Sequence, residues 1–123
     1  MPDAPRVLIV EDEFFVRDMI VHELKEAGFE VWDAGTAEEA LGFTLDRIDL
    51  LFTDIRLPGI DGWRLAEQIR TRHADVPVIY ASGYAERMTP LPRSRFLQKP
   101  YLPSQVLRSA AELGIKLPDD STS

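Results

Sequence analysis

Four short apolar runs in this chain end in residues that carry a charge or a hydroxyl. Arg6–Val10 leads into Glu11 and Asp12, Leu50–Thr53 into Asp54, Val78–Ala81 into Ser82, and Phe96–Gln98 into Lys99 and Pro100. In an open parallel sheet with alternating helices, ligands sit outside the carboxyl ends of the strands. If these runs are such strands, three carboxylates, a hydroxyl and an ammonium meet in one crevice. That set could bind a divalent metal, supply a carboxylate nucleophile and hold a phosphoryl group.

Glu11, Asp12 and Asp54 are the strongest of these signals. Like charges held together are costly and raise pKa values unless a cation neutralises them. A small all-oxygen set suits Mg2+, which keeps waters and takes one or two carboxylates plus phosphate oxygens. Singly, each residue has an ordinary explanation. Asp12 could cap the following helix, Asp54 could end a strand in solvent, Ser82-Gly83 is a turn signal, and Lys99 could be a surface lysine. The joint pattern, each group at a strand end in the right order, is what sets these explanations aside.

The elements that must position these groups are legible in turn. Arg6–Val10 is an apolar, β-branched run, the mark of a strand covered on both faces. Val16, Met19, Ile20 and Leu24 follow helical spacing and predict an amphipathic helix, stopped by Gly28. Phe29–Trp32 reads as a second strand. Thr36 and Glu39 form a capping box, so a second helix starts near Ala37 and ends before Asp49. Asp49–Thr53 is the third strand, and Leu57-Pro58-Gly59 is a loop. Leu65, Ala66 and Ile69 give the third helix its apolar face, with Trp63 a half-buried packing residue at its start. Pro77 opens the fourth strand. Pro103 suits the first turn of the last helix, whose buried face is Val106, Leu107, Ala110 and Leu113 and whose end is Gly114. Between the fourth and fifth strands, Pro90 and Pro92 leave room for one helical turn at most, near Ala85–Met88. Pro118–Ser123 reads as a disordered polar tail. The alternation predicts an α/β domain with a parallel sheet covered by helices on both faces.

The totals narrow the function further. The 123 residues suit one domain, and 45% hydrophobic residues suffice for a core. A formal net charge of −7 argues against a nucleic-acid surface. No apolar run approaches bilayer length, and the first residues lack the parts of a signal peptide. The absence of cysteine excludes disulfides and thiolate chemistry and fits a cytoplasmic location. His22 and His73 have no ligand-spaced partner and read as surface residues.

The segments Val7–Asp12, Asp54–Gly62, Ala81-Ser82-Gly83 and Lys99-Pro100-Tyr101 resemble the receiver domain of bacterial response regulators, the CheY-like superfamily, over about residues 5 to 117. The resemblance implies a flavodoxin-like, doubly wound five-stranded sheet in the order 2-1-3-4-5, here with a short or missing fourth helix. It implies that Asp54 accepts a phosphoryl group from phosphohistidine on a histidine kinase or histidine phosphotransfer protein. Glu11, Asp12, Asp54 and the backbone carbonyl of Arg56 would then hold Mg2+. Ser82 would bond the phosphoryl group, Lys99 would be its counter-charge, and Lys99–Pro100 would be cis. Phosphoryl transfer needs positioning and charge neutralisation more than covalent help, which agrees with this set. Members also lose the phosphoryl group to an in-line water, so the chain is expected to catalyse only its own phosphorylation and dephosphorylation.

The resemblance also suggests a switch. Drawing Ser82 toward the phosphoryl group would shift the loop after the fourth strand. Phe96, three residues before the lysine, matches the family's switching aromatic; it reads equally as plain core. Tyr84 and Arg56 flank the acceptor, at positions that influence water access in the family. Tyr80–Tyr84 is similar to a subgroup with Phe-Ala-Thr-Gly, whose members often stand alone in stress-response pathways. Phe14 and Phe15 lie off the apolar stripe beside Asp12. They read either as a docking surface for the kinase or as cover for the end of the second or fifth helix.

The expectation is a single-domain response regulator over residues 1–123, monomeric or weakly dimeric, without nucleic-acid or membrane partners. Output would come from binding a protein or relaying phosphoryl groups. One alternative is a degenerate receiver acting as a constitutive binding module. Another is a Mg2+-dependent phosphatase with an aspartyl nucleophile, but such enzymes place a second acid two residues on, where this chain has Arg56.

Overall fold

The computed structural model describes residues 4–84 and 91–117. The turn expected near Ala85–Met88 and the tail at 118–123 lie outside the described residues. The strands are β1 (Arg6–Val10), β2 (Glu30–Ala34), β3 (Leu50–Asp54), β4 (Val78–Ser82) and β5 (Ser94–Gln98). They form one sheet in the order β2-β1-β3-β4-β5, parallel throughout. The central strands β3 and β4 are buried along their whole length, as their continuous apolar sequences require.

Alternate residues feed two cores, because strand side chains point to opposite faces in turn. Leu8, Val10, Leu51 and Tyr80 pack under α2 (Ala37–Leu41) and α3 (Gly62–Arg72). Val7, Ile9, Phe52 and Ile79 pack under α1 (Phe14–Ala27) and α4 (Pro103–Glu112). Burying Ile20 and Leu24 of α1 completely contributes about 1.5–3 kcal/mol each. Gly28 ends α1 with φ 112°; its amide bonds the Lys25 carbonyl, and the Phe29 amide bonds the Leu24 carbonyl.

Several expectations are corrected. β2 begins one residue later than expected and runs on to Ala34. α2 has only five residues. It stops at Gly42 because the following chain is held in a non-helical path. Phe43 packs edge-on against Trp32, and Arg6 grips the Asp46 carboxylate and the Arg47 carbonyl. Met19 is 46% exposed, so the buried seam of α1 is narrower than its apolar stripe. Trp63 is buried rather than half-buried, with its ring 4.4 Å from that of Tyr80. Among the described residues there is no helix between β4 and β5, and β5 is half-buried to exposed.

Candidate functional site

The strand register brings the chemistry to one edge. Val10 pairs with Thr53, Asp54 with Ala81, and Ser82 with Gln98, so the residues that follow emerge side by side. Glu11 leaves β1 fully buried. Its amide donates to the Ala34 carbonyl, and its Oε2 accepts from the Glu13 amide at 3.1 Å. Asp12 beside it is exposed.

Asp54 is the last residue of β3 and only 4% exposed, which sets aside a strand end in solvent. The Thr53 hydroxyl donates to its carbonyl at 2.9 Å, and the Ile55 amide extends the ladder to Ala81. Gly62 at the start of α3 closes over this turn, its amide bonding the Ile55 carbonyl at 2.8 Å. A Cβ on Gly62 would run into the Asp54 carbonyl and the Ile55 backbone, so only glycine fits there.

Ser82 ends β4, buried, and its Oγ accepts from the Tyr84 amide at 3.1 Å. Its carbonyl accepts from the Lys99 amide at 2.8 Å, which fixes the lysine opposite Asp54. Lys99–Pro100 is cis, as expected. Lys99 Nζ donates to Asp54 Oδ2 at 2.9 Å and lies 3.2 Å from Glu11 Oε1. The second contact is one of charge without hydrogen-bond alignment, and Glu11 Oε1 is left buried without a hydrogen-bond partner.

One ammonium does not satisfy these acids. Burial pushes the Glu11 carboxyl up to about 7, and the Asp54 charge adds to the rise. Burial raises Asp54 as well, outweighing the hydrogen bond and charge of Lys99. Burial alone would lower Lys99; its hydrogen bond to Asp54 and the two acid charges raise it instead. Carboxylate oxygens of Glu11, Asp12 and Asp54 lie within 4.8 Å of one another. At that spacing two unit charges repel by about 3 kcal/mol for an effective dielectric of 20. A Mg2+ ion, which prefers hard oxygen donors, would relieve that repulsion. The hard-oxygen donor set and the orphaned Glu11 Oε1 therefore fit such an ion.

The other expected residues divide. The Arg56 guanidinium stands over the Tyr84 ring, 4.4 Å from its centroid. Phe96 is 45% exposed, so it is not core; its strand is an edge, and its ring lies outside. Phe14 and Phe15 touch edge-on and are 59% and 84% exposed, so neither covers a helix end. Beside them Glu13, Val16, Met19, Lys99, Pro100 and Tyr101 line a groove of about 420 Å3.

Sequence reasoning missed two residues. The Tyr101 hydroxyl is buried without a hydrogen-bond partner, and burial together with the charges of Glu11, Asp54 and Glu13 raises its pKa. Arg17 donates to the Glu11 carbonyl at 2.9 Å. No spacing rule points to either, since the groups around each are brought there by the fold.

The model of the response regulator receiver domain matches residues 7–111. Sensor kinase CckA of Brucella abortus (strain 2308) is 34% identical over 115 residues, covering 87% of this chain and 12% of that protein. The C4-dicarboxylate transport transcriptional regulatory protein DctD of Rhizobium meliloti (strain 1021) is 30% identical over 116 residues, covering 89% of this chain and 25% of that protein. The chain thus spans a quarter or less of the length of these two relatives. Among solved structures, the receiver domain of hybrid histidine kinase CckA superposes with TM-score 0.75 at 34% identity, covering 88% of this chain and 97% of that one. Response regulator protein TrrA of Thermotoga maritima, in complex with Mg2+ and BeF, gives TM-score 0.76 at 29% identity, covering 89% and 98%. No helix among the described residues is long and apolar enough to cross a membrane.

Proposed function

The chain belongs to the response regulator receiver domain family, and from that premise we propose that it takes a phosphoryl group onto Asp54 from phosphohistidine of a histidine kinase or histidine phosphotransfer protein. The observation that carries this reading is the contact of Lys99 with both Asp54 and Glu11 inside a cluster of three acids. An Asp54 carboxylate oxygen forms the new bond to phosphorus as the P–N bond breaks. The bonding pair leaves with the imidazole, which departs neutral when its other nitrogen carries a proton. Glu11, Asp12 and Asp54, with the Arg56 carbonyl, would hold Mg2+, which supplies positive charge to the phosphoryl oxygens when bound. Lys99, already seated on Asp54, then serves as counter-charge, and Ser82 supplies a hydroxyl donor once it turns toward the phosphoryl group.

The switch follows from one hydrogen bond. Ser82 Oγ holds the Tyr84 amide. Turning that hydroxyl to the phosphoryl group pulls on Tyr84 and on its stack with Arg56. Phe96, already outside, answers as packing rather than by hydrogen bonding. Phe14 and Phe15, with the groove beside Lys99, form the docking face for the phosphodonor. The domain acts in the cytoplasm as a monomer or weak dimer, and its output is protein binding or phosphoryl relay.

The test is intact mass after incubation with Mg2+ and acetyl phosphate. A Mg2+-dependent gain of one phosphoryl group, absent from Asp54→Asn, is expected. A folded wild type that gains nothing would favour a constitutive binding module instead.

A further inference from the structure

Arg17 has no part in the roles above, yet three contacts converge on its guanidinium. Nη1 donates to the Glu11 carbonyl at 2.9 Å, Nε lies 3.2 Å from Asp33 Oδ2, and Cζ stands 5.7 Å from the centroid of the Phe14 ring. The side chain is only 18% exposed, although arginine on a helix ordinarily reaches into water. The Gly35 backbone lies against it so closely that a Cβ there would stand 2.6 Å from Nη1.

These contacts tie α1 to the turn after β1, the end of β2 and the loop into α2. The turn is the part that matters. Glu11 and Asp12 offer their carboxylates toward Asp54 only while the backbone between β1 and α1 keeps its path. Glu11 is fully buried, so losing the guanidinium strips a charged donor from a buried carbonyl, and the turn must relax to replace it. Asp33 in turn holds the guanidinium in place.

We infer that Arg17 is a positioning residue for cation binding, setting the Glu11–Asp12 turn so that both carboxylates face Asp54. The inference rests on the receiver reading of the site. Arg17 touches neither the cation nor the phosphoryl group, so its loss weakens the cation's hold rather than the chemistry after binding.

The test is Mg2+ titration by calorimetry, paired with the Mg2+ dependence of phosphorylation by acetyl phosphate. Arg17→Gln should weaken Mg2+ binding by about 10- to 100-fold, the range for groups that orient metal ligands. Its maximal rate at saturating Mg2+ should stay near wild type. Arg17→Lys should recover part of the affinity. Gly35→Ala keeps the arginine but pushes its guanidinium aside, and should lose affinity in the same direction by less. If Arg17→Gln does not fold, Gly35→Ala decides alone. Unchanged Mg2+ affinity in the deciding variant overturns the inference, as does a fallen maximal rate with unaltered Mg2+ dependence. A wild type that binds no Mg2+ overturns the receiver reading and this inference with it.

Discussion

Glu11 carries a charge that its surroundings disfavour. Burial pushes its carboxyl up to about 7 in the folded protein, from an ordinary value of 4.5. A raised folded pKa gives stability that is fully present below the unfolded value and lost as pH rises through the folded one. Asp54 shifts in the same direction, while the raised Lys99 value keeps its own contribution intact through this window. With divalent ions chelated, the protein should therefore lose about 1–3 kcal/mol between pH 5.5 and 8. Glu11→Gln should flatten that slope and be the more stable protein at pH 8, by urea unfolding. A variant no more stable than wild type at pH 8 would mean that Glu11 sits comfortably ionised. Glu11, Asp54, Ser82 and Lys99 were readable because each ends an apolar run. Arg17 was not, because it acts on a backbone carbonyl, which has no letter in a sequence.

At the scale of elements, the junction of β3 and α3 is the tightest. Gly62 packs on the Asp54 carbonyl, so Gly62→Ala should cost about 1–3 kcal/mol. It should also slow phosphorylation by acetyl phosphate, since the backbone that must yield carries the acceptor. Normal stability and rate together would show that α3 can back away freely. The exposed end of α1 should behave in the opposite manner. Phe15→Ser should change stability by less than about 0.5 kcal/mol and leave acetyl phosphate chemistry alone, yet slow transfer from a phosphorylated protein donor. Equal rates from both donors would remove Phe15 from the docking face. Strand and helix order were legible from hydrophobic period and caps. The early end of α2 was not, because Gly42 alone is a weak stop; it is Arg6, far away in sequence, that holds the chain beyond it at Asp46 and Arg47.

For the whole molecule, the parallel sheet followed from the alternation of elements and its strand order from the family resemblance, whereas the exposure of β5 depends on what covers it in three dimensions. β3 is buried throughout and β5 is not. Amides of β5 should accordingly exchange with solvent faster than those of β3. Equal protection would mean that the edge opens only with global unfolding. Lys99 bonds a partner 45 residues earlier in the chain, and that separation gives the site a history. A ribosome releases β1 and β3 before β5, so the two acids leave it ahead of their ammonium. A nascent chain stalled before Ser94 holds Glu11 and Asp54 without their ammonium, so divalent cations should guard it against protease more than they guard the finished protein. Equal protection would place the meeting of the two acids after the arrival of β5.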